Sequence, residues 1–313
     1  TNFPTIYIEG FSNCDALVKE KINNRIPEKI CSIGGLYSNE FNRLFAAHLL
    51  SRGSRLHFSQ HGGGYGVNHL IELEDFEKSI SDIYYCWGWA DGSKKLKNMP
   101  SIKLSKSIGT VASKQSKSDK ILFVNTAQPK FLYRFQSQPS GSQWNKYMKD
   151  SLIFFDKLGK NLREKIEIRL YENDYGWGQK KMYLDNFPTL KFDDKKYGFD
   201  IKKYSSRLLV FDNITTTYLE GLSANLPTVI FYDPDIWEIR KEAKPYFQLL
   251  KEARIIFDKP HEAAQFIVSN FHDIENWWFS KQTQSAINKF TKRFALTSKT
   301  WEKDWAQEFN RDE

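Results

Sequence analysis

Short β-forming runs alternate with stretches of helical periodicity along most of this chain of 313 residues. In the N-terminal part, strand-like runs at 29–33, 55–59 and 82–87 flank residues 39–51, whose apolar positions recur at helical spacing. A short helix is predicted at 74–79. Strands that alternate with helices in this way favour parallel sheets covered by helices, so we expect an α/β protein.

The alternation starts again in the second half of the chain, after a lysine- and serine-rich stretch. We therefore predict two Rossmann-like domains that face a crevice, an N-terminal one over residues 1–112 and a C-terminal one over residues 113–313 with a helical tail. Ligands of such folds bind outside the carboxyl ends of the strands. The predicted strands of the second half are 120–125, 165–171, 207–211, 228–232 and 254–257, and its predicted helices are 142–158, 217–224, 260–269 and 280–309.

The net charge of +8 comes from 46 Lys and Arg against 38 Asp and Glu. Residues 94–120 hold eight lysines and one acid, Asp119, and so carry seven of these charges. Because this stretch contains no aromatic residue, nucleic acid is not expected as a partner. Residues 105–118 are predicted to be a solvated linker. The alternative is a basic strip that meets an anionic donor, an acidic acceptor or the inner-membrane surface.

Cysteine usage and hydropathy point to a cytoplasmic protein. Cys14, Cys31 and Cys86 are odd in number and widely spaced, which favours neither a disulfide framework nor a zinc site. No apolar run approaches the roughly 20 residues that cross a bilayer, and no basic-then-apolar leader opens the sequence. We expect a cytoplasmic location with peripheral contact to the inner membrane, or a fragment of a longer protein, since the sequence starts at Thr1.

The motif QHGGGYG at residues 60–66 directly follows a predicted strand. Consecutive glycines let backbone N–H groups approach an anion closely, and a histidine at a strand end can take a proton or bind phosphate. His61 is therefore the candidate catalytic residue, and Gly62, Gly63 and Gly64 are candidate donor-binding residues. The alternative is a flexible turn with a hydrogen-bonded histidine. An esterase loop would need a G-x-S-x-G elbow, which the sequence lacks.

The motif TTTYLEGL at residues 215–222 lies between two predicted buried strands. Hydroxyls and N–H groups at a helix N-terminus suit a phosphate, so Thr215, Thr216 and Thr217 are candidate phosphate ligands. The alternative is a capping box formed by Thr217 and Glu220, which would leave the other two hydroxyls available.

Four further motifs accompany these two: Tyr133-Arg134, Gln143-Trp144-x-x-Tyr147, Arg169-Leu170-Tyr171 and Asp174-Tyr175-Gly176-Trp177. In order and spacing, the set resembles a family of transferases from bacterial surface-carbohydrate gene clusters. That family is related to GT-B type glycosyltransferases of capsule and lipopolysaccharide synthesis, which use CMP-Kdo or CMP-nonulosonates. The resemblance extends from about Lys29 to Pro234.

The resemblance implies that the C-terminal half holds a nucleotide sugar, with the threonines and Glu220 on its phosphate and ribose. Arg134 and Arg169 would bind the donor phosphate or sugar carboxylate, because a guanidinium matches both bidentately; pairing with a neighbouring acid is the alternative. Asp174 begins a loop whose aromatic residues would stack on base or sugar. His61 would face the donor from the other domain, as a base or as a cation beside the leaving CMP.

The predicted function is transfer of Kdo or another ulosonic acid from a CMP donor to a glycan or lipid-linked glycan acceptor of the bacterial surface. The alternatives are a CDP-polyol phosphotransferase of the teichoic-acid type and a non-catalytic nucleotide- or glycan-binding module. No cofactor or metal is expected. Asp233-Pro234-Asp235 matches the metal-binding D-x-D pattern, but Asp-Pro commonly opens a turn and the single phosphate of a CMP-sugar needs less charge neutralisation.

Overall fold

The computed structural model describes residues 3–23, 25–108, 118–131 and 138–311. The chain forms two compact units, and it passes from one to the other three times. The first unit contains Thr1–His61 and Ile71–Asn98, and the second contains Gly62–Leu70 and Met99–Glu313. The expected boundary between residues 112 and 113 lies outside the described residues.

The first unit is built on a parallel sheet with the strand order β1-β2-β3-β4. Its strands are β1 (Lys29–Ser32), β2 (Arg55–Ser59), β3 (Ile83–Cys86) and β4 (Leu96–Asn98), and its helices are α1 (Phe11–Ile22), α2 (Glu40–Leu50) and α3 (Glu72–Ile80). All four residues of β3 are buried, as expected for a parallel strand covered on both faces. Helix α2 starts where the Asn39 side chain accepts a hydrogen bond from the Asn42 N–H, a standard N-cap.

The second unit is built on a parallel sheet with the strand order β10-β9-β8-β5-β6-β7. Its strands are β5 (Ile121–Val124), β6 (Ile166–Arg169), β7 (Lys191–Phe192), β8 (Leu208–Phe211), β9 (Thr228–Phe231) and β10 (Ile256–Phe257). The chain adds strands to one side of β5 and then continues from β8 to the other side. Such a reversal between neighbouring strands is the place where open α/β sheets bind ligands, next to the carboxyl ends of the strands.

Helices cover the second sheet, and the tail of the chain is helical as predicted. The helices are α4 (Ile102–Ser105), α5 (Trp144–Arg163, kinked at Gly159), α6 (Gln179–Asn186), α7 (Phe199–Lys202), α8 (Thr217–Ser223), α9 (Lys244–Glu252), α10 (Pro260–Asn270), α11 (Ile274–Trp278), α12 (Lys281–Phe294) and α13 (Trp301–Phe309). None of the helices in the described ranges is both long and apolar enough to span a membrane.

The linker predicted at 105–118 is wrong for its first residues. Ser105 and Ser107 are buried, and the Ser105 hydroxyl accepts a hydrogen bond from the Ser298 N–H at 3.1 Å. The lysine-rich stretch also contains strand β4, which pairs with β3. This stretch is thus part of the folded structure as far as residue 108, while residues 109–117 lie outside the described ranges.

Candidate active site

His61 lies immediately beyond β2, at the carboxyl edge of the first sheet. Its Nδ1 is 3.7 Å from Oε1 of Glu77 on α3. The Glu77 side chain is completely buried, whereas the His61 side chain is 37% exposed. The Tyr84 hydroxyl donates to the other Glu77 oxygen, Oε2, at 3.3 Å. The predicted catalytic histidine is therefore accessible to solvent and lies beside a buried carboxylate.

Gly34 makes room for the imidazole of His61. A Cβ atom at position 34 would lie 3.2 Å from both Cε1 and Nδ1 of the ring, and Gly34 has a φ of +77°, which favours glycine. His61 is predictable from the sequence, whereas Gly34 and Glu77 were not predicted. The available signal for Glu77 was a carboxylate four residues after Leu73, on the buried face of an amphipathic helix.

The glycine run continues in the second unit, where it packs against the threonine motif. The Gly63 N–H donates to the Thr216 hydroxyl at 3.0 Å. A Cβ atom at position 63 would lie 2.8 Å from Cδ1 of Leu219 and 2.9 Å from the Thr215 carbonyl oxygen, so only glycine fits there without a shift. The glycine run and the threonine motif, which lie about 150 residues apart in the sequence, thus meet in the structure, and the Gly63 N–H has a partner within the protein.

Gly62 is less constrained than Gly63, and Gly64 closes the turn that follows them. A Cβ atom at Gly62 would be 3.5 Å from the Thr216 hydroxyl, which is an ordinary contact. The Gly64 carbonyl accepts hydrogen bonds from the N–H groups of Val67 and Asn68 at 3.0 and 2.8 Å, and so closes the turn after the glycine run.

A buried carboxylate, Asp212, organises the start of the threonine motif. The hydroxyls of Tyr147 and Ser151 on α5 donate to its Oδ2 at 2.8 and 3.0 Å. The Asn213 amide donates to its Oδ1 at 2.9 Å, and the Thr215 hydroxyl donates to the Asn213 amide oxygen at 2.7 Å. Burial raises the pKa of Asp212 to about 7. The position of Thr215 is therefore set by a hydrogen-bonded chain that begins in the core.

The capping box predicted for Thr217 and Glu220 is wrong. Helix α8 begins at Thr217, and its N-cap residue, Thr216, makes no side-chain hydrogen bond to the N–H groups of the first turn. Glu220 is buried and forms ion pairs with Nζ of Lys103 at 2.7 Å and of Lys203 at 3.3 Å. Two lysines outside the helix therefore hold the carboxylate that would have closed the box.

Lys203 is a fully buried lysine. Its ammonium also donates to the Ser107 hydroxyl at 3.0 Å, and desolvation lowers its pKa. This ammonium ties the segment after α4 and the carboxylate of Glu220 together inside the second unit.

Three other candidate donor-binding residues have different settings. Arg169, at the end of β6, forms an ion pair with the buried Asp193 and donates to the Tyr197 carbonyl at 3.1 Å. This is the alternative expected for Arg169, pairing with a neighbouring acid. Asp174 accepts hydrogen bonds from the N–H groups of Gly178 and Gln179 at 2.8 and 3.0 Å, so it fastens the start of α6. Residue 134 lies outside the described ranges.

Trp177 follows Asp174 in the same loop. Its ring stacks on Trp144 with centroids 4.3 Å apart and an interplanar angle of 14°, and Nζ of Lys130 lies 5.2 Å from its ring centroid. Beyond this loop, a cavity of about 730 Å³ opens at the carboxyl ends of β6 and β7, with Asp174, Asp193 and Lys195 among its lining residues.

The two aspartates of the D-x-D pattern form a turn after β9. Asp233 accepts from the Asp235 N–H at 3.1 Å and forms an ion pair with Lys146. Within the described ranges, no group of three or more His, Cys, Asp or Glu side chains could hold a metal ion.

Two parallel Rossmann-like sheets in one chain, with candidate ligand-binding residues beyond their strand ends, define a GT-B-like α/β protein. Residues 1–309 match the model of the LIC12162 family transferase, and the chain belongs to that family. No curated protein sequence matches this chain.

Several solved structures share the fold at low sequence identity. A Listeria monocytogenes protein assigned as a UDP-N-acetylglucosamine 2-epimerase aligns with a TM-score of 0.59 and 9% identity, over 96% of this chain and 80% of that one. Trehalose-6-phosphate synthase OtsA aligns with a TM-score of 0.51 and 10% identity, over 100% and 79% of the two chains. TarM aligns with a TM-score of 0.55 and 11% identity, over 95% and 58%. These likenesses show the fold.

Proposed function

We propose that this transferase is a glycosyltransferase that uses a nucleotide-sugar donor. The observation that carries the proposal is the setting of His61, an accessible imidazole at the carboxyl edge of a parallel sheet, 3.7 Å from a buried carboxylate. An imidazole in such a position can take a proton at neutral pH. The family and the fold support a transferase in which the second sheet holds the donor.

In the proposed reaction, His61 takes the proton of an acceptor hydroxyl while the oxygen attacks the anomeric carbon of the donor sugar. The bond between that carbon and the phosphate oxygen of the nucleotide breaks, and the nucleotide leaves with the electron pair. The Thr216 hydroxyl would donate to its phosphate beside β8, at the reversal of the second sheet, and the Thr215 hydroxyl would join it by turning from the Asn213 amide oxygen. The catalytic role of His61 would be that of a general base, worth about 10²- to 10⁴-fold in rate.

For the donor we propose a CMP-linked ulosonic acid, and for the acceptor a glycan or lipid-linked glycan of the bacterial surface. This part rests on the motif resemblance from about Lys29 to Pro234. The reaction needs no metal in this proposal. The lysine-rich residues 94–120 are the part of the chain that would meet an anionic acceptor or the inner membrane from the cytoplasmic side.

A thermal-shift series with CMP, CDP, UDP and GDP tests the donor. A ligand at 100 times its Kd stabilises a protein by about 2.7 kcal/mol, which raises the Tm by several degrees. We expect the largest rise with CMP. If no nucleotide raises the Tm, the glycosyltransferase proposal is wrong. If UDP raises it most, the donor is not a CMP-sugar.

Two alternative functions are separated by products. A CDP-polyol phosphotransferase would also release CMP, but from CDP-glycerol, and it would leave a phosphorus atom in the acceptor product. A non-catalytic module would bind the nucleotide donor without cleaving it, so no product would form. Mass spectrometry of acceptor products formed from CMP-Kdo and from CDP-glycerol distinguishes all three functions.

A further inference from the structure

Helix α3 carries two glutamates with completely buried side chains, Glu74 and Glu77. A buried carboxylate is costly unless it has charged or hydrogen-bonding partners. Glu74 has such a partner on its own helix, because Nζ of Lys78 lies 3.0 Å from its Oε1. Glu77 instead has partners outside its own helix, namely the imidazole of His61 and the hydroxyl of Tyr84.

We propose that Glu77 is a positioning residue that holds His61 ready for proton transfer; this inference rests on the proposed function. The Tyr84 hydroxyl occupies one oxygen of Glu77 and directs the other toward Nδ1 of His61. A carboxylate on that side favours the tautomer with the proton on Nδ1. Nε2 is then the basic nitrogen that takes the proton of the acceptor hydroxyl.

The same carboxylate stabilises the product of that step. When Nε2 takes the proton, the ring becomes an imidazolium and its charge lies 3.7 Å from the Glu77 oxygen at Nδ1. Attraction between opposite charges is stronger at a buried carboxylate than in water, so Glu77 raises the affinity of His61 for a proton. The proton later leaves Nε2 for solvent, and no further reactant is needed.

Gly34, in the loop after β1, also helps to position the imidazole of His61. Its missing Cβ lets the ring lie against the loop after β1, where a methyl group would be 3.2 Å from Nδ1 and Cε1. The loop and α3 therefore contact the imidazole from two sides, and Tyr84 on β3 holds the Glu77 carboxylate, although the imidazole stays 37% exposed. Such support is what holds a reacting group within the narrow range of productive geometries.

The first experiment measures the His61 side chain without any substrate. In full-length protein, NMR titration of the imidazole, assigned with His61→Ala, is compared among wild type, Glu77→Gln and Glu74→Gln. We expect the titration midpoint of His61 to fall by about one pH unit or more in Glu77→Gln and to stay in place in Glu74→Gln. Equal midpoints in wild type and Glu77→Gln would overturn the proposal.

The second experiment measures nucleotide release from the donor as a function of pH. Glu77→Gln should lower kcat about 10- to 100-fold, less than His61→Ala, and leave KM for the donor unchanged. Glu77→Asp, which retains the charge at a longer distance, should recover part of the rate, and it replaces the Gln variant if that one does not fold. Unchanged kcat and pH profile in both variants would overturn the inference. If no nucleotide binds while the NMR midpoint still falls in Glu77→Gln, the proposed function fails and the pairing stands.

Discussion

The two units both bury carboxylates, but the neighbours of these carboxylates differ. In the first unit, Glu77 lies beside His61, a side chain that is 37% exposed. In the second unit, Asp212 is hydrogen-bonded by the buried Tyr147 and Ser151, and Glu220 is paired with the buried Lys203. A buried charge beside an accessible side chain can change how that side chain reacts with a ligand. A buried carboxyl group enclosed by other core groups fixes the backbone around it.

The largest expected effect is on the first side of this comparison. His61→Ala should lower turnover about 10²- to 10⁴-fold, because the proton of the acceptor hydroxyl loses its base, while nucleotide affinity stays within twofold. Steady-state nucleotide release and a thermal-shift titration measure the two quantities. His69→Ala, at an exposed position of the second unit, is the control and should change neither. Equal turnover in both variants would remove His61 from the reaction.

In the second unit, the two lysines that pair with Glu220 should differ sharply in how much they contribute to stability. Lys203 is fully buried and Lys103 is 59% exposed. Lys203→Met should lower the free energy of unfolding by about 3–5 kcal/mol, because it leaves a buried carboxylate without its buried partner. Lys103→Met should cost at most about 1 kcal/mol, as exposed pairs do. Urea denaturation measures both, and similar losses would contradict the distinction between them.

Asp212 should make the stability of the protein depend on pH. Its pKa is about 7 in the folded protein and 3.8 ordinarily, so the folded state holds a proton that the unfolded state has released between these values. The free energy of unfolding should therefore fall by about 4 kcal/mol as the pH rises from about 4 to 7. Asp212→Asn should remove this component. Urea denaturation of wild type and Asp212→Asn at pH 5 and pH 8 tests this expectation. If the free energy of unfolding changes equally between the two pH values in both proteins, the titrating group is not Asp212.

The smallest effect concerns the contact between the glycine run and the threonine motif. Thr216→Val removes the acceptor of the Gly63 N–H and should cost about 1 kcal/mol of stability. The same substitution should also weaken nucleotide binding if the hydroxyl contacts phosphate. Isothermal titration with CMP beside urea denaturation separates the roles, since lost stability with unchanged affinity would leave Thr216 a purely structural part.

The central strands could be predicted from sequence because each is a short run of Val, Ile, Leu and Phe buried on both faces, as in β5 and β8. Strand β4 was missed because its sequence Leu-Lys-Asn is that of a charged edge strand, and only its pairing with β3 makes it a strand.

The candidate site also divides into residues that local sequence reveals and partners that only packing supplies. The position of His61 after a strand was visible in the sequence, whereas its neighbour Glu77 comes from a helix packed onto the sheet. The capping box failed for a similar reason, because Lys203, at a distance in sequence, competes for Glu220. Local patterns could locate reactive residues, but the partners that tune them are set by tertiary packing.

The three passages of the chain between the units constrain how this protein can be made and dissected. Asn68, made early in synthesis, forms a β-bridge with Ile239, and the His69 N–H donates to the Glu238 carbonyl. Residues 62–70 therefore cannot form these contacts until more than half of the remaining chain has been synthesised. No single cut yields both units intact, and a fragment that starts at residue 99 would lack the inserted segment. Supplying residues 62–70 as a separate peptide would be the direct way to reconstitute the second unit.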